Sequence, residues 1–137
     1  MGGRLEAVQF ADEAEVYTRI GGFLADLVAS PGLGLRLGEL ETSLAIELEN
    51  PAARMVLHLS PAGSEVIYGS TSAADGLIQM TSDLADQIFA GSANWFAGIN
   101  EGTISITDSV RDFLPLLPAL EYAAFPRYAS VYREASP

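Results

Sequence analysis

The stretch "TSLAIELENPAARMVLHLS", residues 42–60, limits the fold more than any other part of the chain. Leu44, Ile46 and Leu48 alternate with Ala45, Glu47 and Glu49, then Met55, Leu57 and Leu59 repeat the alternation beyond Asn50-Pro51. A period of two gives a strand one apolar face, whereas on a helix the same residues would scatter around the axis. Two such runs separated by a turn predict a hairpin. "PAGS" turns the chain again into "EVIYGS", which extends the hairpin to a three-strand meander. "GLIQMT" reads as a fourth strand with Ile78 and Met80 on one face, and "TISIT" as a fifth with Ile104 and Ile106 inward.

Elsewhere the period is helical. In "DEAEVYTRIGGFLADLVAS", Val16, Ile20, Phe23, Leu24, Leu27 and Val28 form one stripe behind an Asp12 cap. The Gly21-Gly22 pair inside it costs about 2 kcal/mol against alanine, which predicts a close neighbour at that point. Thr81 or Ser82 caps a second helix carrying Leu84, Ile88 and Phe89, and Gly91 stops it. Trp95, Phe96 and Ile99 mark a short third helix ended by Gly102. Beyond Asp108, Pro115 and Pro118 break the apolar pattern into a discontinuous helical lid, and Pro126 opens a last helix with Tyr128, Val131 and Tyr132. The expected class is α+β: one domain over 1–137, with a mainly antiparallel five-stranded sheet covered on one face by helices.

Composition removes several functions. Cysteine is absent, and with it disulfides, thiol catalysis and thiolate metal sites. All seven basic residues are arginine, so there is no lysine for a Schiff base or a phosphate loop. A formal charge of −11 disfavours nucleic acid and anionic membrane surfaces. No apolar run is long enough for a bilayer span and no signal-peptide core opens the chain, so a cytoplasmic protein without a stable membrane anchor is expected.

Polar candidates for chemistry are few. The lone His58 shares a strand face with Arg54 and Val56, where imidazole can serve as a base or as a solvated strand residue. Glu47 and Glu49 share a face, which reads as a solvated outer face before it reads as an acid–base pair. Asp83 and Asp86 are accounted for by the start of a helix. "GLGLRLG", residues 32–38, lacks the third glycine and the preceding strand of a dinucleotide loop. No catalytic residue, metal site or cofactor is expected.

What remains is an apolar excess in the second half: Met80, Phe89, Trp95, Phe96, Ile99, Ile104, Phe113, Leu114, Leu117 and Leu120. Either these fill the core or they line a cavity for an apolar ligand. The segment "LIQMTSDLADQIFAGSANWFAGINEGTISI" resembles the sterol carrier protein type 2 (sterol-binding) domain family, in its stand-alone bacterial form. Met80 and Thr81 close the family's strand, Asp83 and Phe89 sit on its helix, and Gly91, Asn94 and Gly102 fall at its turns. Ile104 and Ile106 match its final strand. The chain departs from it at Ser92, Ala97 and Thr103, where lysines are frequent, at Gly98-Ile99, usually Ala-Phe, and at Trp95, often proline.

The resemblance implies a sheet under helices around a hydrophobic tunnel for a sterol, fatty acid or fatty acyl-CoA, with no catalysis. Two alternatives stay open at this point. One is an accessory or dimerisation domain without a ligand, forming a homodimer through the sheet edge or the Tyr128–Tyr132 tail. The other is a small acyl or steroid enzyme with His58, Glu47 or Asp86 as base.

Overall fold

Five strands form one sheet in the order β3-β2-β1-β4-β5. They are β1 (Ser43–Glu49), β2 (Ala53–His58), β3 (Glu65–Tyr68), β4 (Gly76–Thr81) and β5 (Ser105–Ile106). The computed structural model describes residues 10, 12–69, 73–107, 111, 118, 125–128 and 131. β1, β2 and β3 pair antiparallel as the predicted meander. The register aligns Tyr68, Met55, Ile46, Ile78 and Ile106 in one row across the whole sheet. That row, with Leu44, Leu48, Leu57 and Met80 beside it, carries the apolar core expected from the alternation.

The sheet is mixed, and the expectation of a mainly antiparallel one is corrected. β4 pairs parallel with β1, Ile46 opposite Ile78 and Leu48 opposite Met80. Alternation fixes which face a side chain takes but not which strand lies beside it. After β3 the chain does not reverse into a neighbouring strand. The next strand, β4, lies beside β1 instead, which makes β1 the central strand.

The opposite face is less solvated than its sequence predicts. Ala45 and Val56, register partners there, are fully buried. Glu47 is half-buried, accepting from Arg54 Nε at 3.2 Å and from Gln79 Nε2 at 2.7 Å. Arg54 and Gln79 are its register partners on either side, so one carboxylate ties three strands together.

The helices cover the core face. α1 (Glu13–Val16), a π-helical turn (Tyr17–Gly21) and α2 (Gly22–Ala29) run on continuously. Asp12 caps the start by accepting from the Glu15 N–H at 3.0 Å. The neighbour predicted at the glycine pair is Tyr68: its ring lies 2.5 Å from where a Gly21 Cβ would stand, and its hydroxyl donates to the Gly21 carbonyl at 3.1 Å. "GLGLRLG" is helical as α3 (Leu33–Gly38). Glycine is tolerated there because a Cβ at Gly34 would stand 2.5 Å from the Val28 carbonyl oxygen, and one at Gly38 would stand 2.7 Å from that of Ser60. α4 (Ser82–Phe89), α5 (Trp95–Glu101) and α6 (Phe125–Arg127) complete the layer. No helix among the described residues is long and apolar enough to cross a membrane.

Candidate functional site

Phe89 is the hub of an aromatic cluster under the helices. It ends α4, whose first turn is fixed twice: the Leu84 N–H donates to the Thr81 hydroxyl at 3.1 Å, and the Ser82 hydroxyl donates to the Pro51 carbonyl at 2.8 Å. Thr81 is therefore the cap, while Ser82 is fully buried and pins α4 to the β1–β2 turn. Around Phe89 stand Phe23 from α2, Trp95 from α5, Phe125 from α6 and Tyr128 just beyond it. Their ring centroids lie 5.4, 6.4, 5.7 and 5.8 Å away. Phe23 also meets Tyr128 edge-on at 5.1 Å. All five rings are buried.

Two clefts border this cluster. One, of about 330 Å³, lies at the α2–α3 corner between Phe23, Asp26, Leu27, Ser30, Gly32, Leu33 and Arg127, and its surface is largely apolar. The other, of about 550 Å³, lies between the α4–α5 turn (residues 90–94) and Phe125 and Pro126, with a mixed surface. Phe23 walls the first, Phe125 walls the second, and both rings pack on Phe89. Residues 125–127 thus face both clefts.

Glycines set the turn geometry beside the second cleft. α4 ends at Gly91, whose φ of +84° is the left-handed conformation glycine adopts freely. Asn94 caps α5 by accepting from the Phe96 and Ala97 N–H groups at 2.9 and 3.1 Å. Gly102, at φ +83°, ends α5, and the Thr103 and Ile104 N–H groups fold back onto the Gly98 carbonyl at 2.9 and 3.1 Å. Ile104 then lies where a Gly98 Cβ would stand. That approach leaves room only for glycine at position 98.

Of the residues singled out from sequence, Met80, Phe89, Trp95 and Ile104 are buried in the core and Ile99 packs half-buried against it. Phe96 points elsewhere: it is 50% exposed. One position on from Trp95, about 100° around α5, Phe96 falls on the solvent side of the helix. Phe113, Leu114, Leu117 and Leu120 lie outside the described residues, as does most of the expected lid. Phe23, Phe125 and Tyr128 were absent from that set. Phe23 was legible as part of the first helical stripe, whereas nothing local marks Phe125 as its partner through Phe89.

The polar candidates are not brought together. His58 is exposed and Glu47 lies on its face of the sheet, away from the helices. Asp86 is not a solvated residue at a helix start: it is fully buried and its Oδ1 accepts from the Tyr128 hydroxyl at 2.7 Å. His58 instead borders a polar hollow of about 390 Å³ with Glu41, Ser60 and Asp75. Among the described residues, no three of His, Cys, Asp and Glu are grouped to hold a metal.

No family model and no curated protein matches the sequence. Solved structures do match. The sterol carrier protein domain 2 of Helicoverpa armigera aligns with a TM-score of 0.62 at 12% identity, over 78% of this chain and 87% of that one. Apo sterol carrier protein 2 from Yarrowia lipolytica aligns at 0.61 and 15% identity, over 88% and 98%. Sterol carrier protein 2 like 2 from Aedes aegypti aligns at 0.53 and 17%, over 80% and 96%. The chain has the sterol carrier protein 2 fold, in agreement with the resemblance carried by residues 77–106.

Proposed function

We propose that this chain is a non-catalytic binding or transfer module for an apolar ligand of the sterol, fatty acid or fatty acyl-CoA class. The observation that carries the proposal is the Phe89 cluster flanked by two clefts, each walled by a ring packed on Phe89. Their volumes fall within the range of small-molecule sites. A hydrocarbon chain that enters from one cleft and displaces Phe23 or Phe125 would lie against Phe89 in a tunnel, with Met80, Trp95, Ile99 and Ile104 in the surrounding wall. Phe113, Leu114, Leu117 and Leu120 belong to the same proposed lining, and the exposed Phe96 suits its rim. Removing about 300 Å² of ligand surface from water is worth roughly 7 kcal/mol before the costs of association.

The fold supports this reading, since several solved structures that share it are named as sterol carrier proteins. Dispersal of the polar groups supports the non-catalytic part. Native mass spectrometry tests the proposal with cholesterol, oleic acid and palmitoyl-CoA offered separately. A retained one-to-one adduct with at least one of them, accompanied by a change in Trp95 emission, is expected. Absence of any adduct, with unchanged emission, refutes it.

A further inference from the structure

The Trp95 indole N–H is an unsatisfied buried donor in the aromatic cluster. Trp95 is 7% exposed, and its Nε1–H is buried without a hydrogen-bond partner among the described residues. Buried donors are nearly always paired, because withdrawing one from water without an acceptor is costly. Core packing does not explain this side chain, since a phenylalanine would supply a ring against Phe89 without the orphan donor.

Indole only donates, so whatever completes it must be an acceptor. Trp95 follows Asn94, a wall of the larger cleft, and its ring packs edge-on against Phe89, which in turn packs on the cleft's opposite wall, Phe125. A molecule displacing Phe125 from Phe89 therefore reaches the ring on which Trp95 packs. The same cluster holds the buried Asp86 carboxyl, whose Oδ1 accepts from the Tyr128 hydroxyl. Its presence, within a chain of charge −11, disfavours a second carboxylate in the site.

Building on the apolar-ligand reading, we infer that Trp95 Nε1 recognises a neutral oxygen acceptor on the ligand. The site then selects apolar molecules carrying an ester or ketone carbonyl over plain hydrocarbons and over free carboxylates. A neutral hydrogen bond corresponds to a preference of roughly 2- to 13-fold.

The single tryptophan makes the test direct, because a 15N-labelled sample shows one indole N–H resonance. Methyl oleate, oleate and 1-octadecene are titrated separately into wild type and Trp95→Phe. Methyl oleate is expected to shift the indole proton downfield and to bind about 5-fold tighter than 1-octadecene, with oleate weaker than its ester. Trp95→Phe is expected to abolish the preference, so that methyl oleate and 1-octadecene bind the variant equally. Equal affinities for ester and alkene, an unmoved indole proton on ester binding, or a preference that survives in Trp95→Phe overturns this inference alone. Binding of none of the three probes overturns this inference, and it overturns the apolar-ligand reading as well when cholesterol and palmitoyl-CoA also fail to bind. The wild-type indole shift decides the matter even if the variant fails to fold.

Discussion

Replacing Gly34 by alanine should destabilise the protein, although alanine is the better helix former. Gly34 lies inside α3, where the exchange alone contributes about 1 kcal/mol of stability. Against this, the new Cβ would stand 2.5 Å from the Val28 carbonyl oxygen and 2.9 Å from its carbon. Both atoms are backbone, so relief requires α3 to move away from the end of α2. Overpacking costs about 1–3 kcal/mol, and a clash with backbone atoms this close belongs in the upper part of that range, at about 2–3 kcal/mol. The net expectation is a loss of roughly 1–2 kcal/mol. At about 2.1 cal/mol/K per residue, 137 residues give an unfolding entropy near 0.3 kcal/mol/K, hence a Tm lower by roughly 3–7 °C. Gly32→Ala is the control: nothing lies within 4 Å of its Cβ and its φ is −90°, so its Tm should be unchanged or slightly raised. Differential scanning calorimetry of both variants measures the contrast. A Gly34→Ala protein as stable as Gly32→Ala would show that α2 and α3 are not in the close contact described, and with it that the α2–α3 cleft is misplaced.

Tyr128→Phe keeps the ring contacts with Phe23 and Phe89 but removes the donor to buried Asp86. Urea unfolding should show a loss of about 1.5–3 kcal/mol with an unchanged m-value. Asn94→Ala removes the α5 cap and should cost about 1 kcal/mol by the same measurement. His58→Ala, at an exposed strand end across the sheet from the cluster, should alter stability by less than about 0.5 kcal/mol and leave lipid retention in native mass spectrometry unchanged.

The strands were legible because their signal is local. Leu44-Ile46-Leu48 and Met55-Leu57-Leu59 carry it within a few residues, and the register keeps both runs on the core face. The parallel pairing of β4 with β1 was not legible, since parity says nothing about neighbours. Asp86 was misread for a similar reason: its partner Tyr128 lies 42 residues away, and a helix-start aspartate looks alike whether solvated or buried. In "GLGLRLG" the three leucines alternate as on a strand, yet only the i,i+4 pair Leu33 and Leu37 packs on the core while Leu35 is exposed. The close backbone approach at Gly34 and Gly38 supports that helical choice, which only the folded neighbours reveal. At the candidate site, Phe89 and Trp95 were visible as bulky groups beside turns. Which of Trp95 and Phe96 turns inward was fixed by the Asn94 cap and the angle around α5.

A crystal structure of the protein soaked with or grown from a long-chain lipid tests the central claim most directly. Continuous hydrocarbon density along Phe89, reached from one of its two flanking clefts with Phe23 or Phe125 moved aside, is the predicted result. Saturating lipid that leaves all five rings in their present packing, with no density beside Phe89, contradicts it.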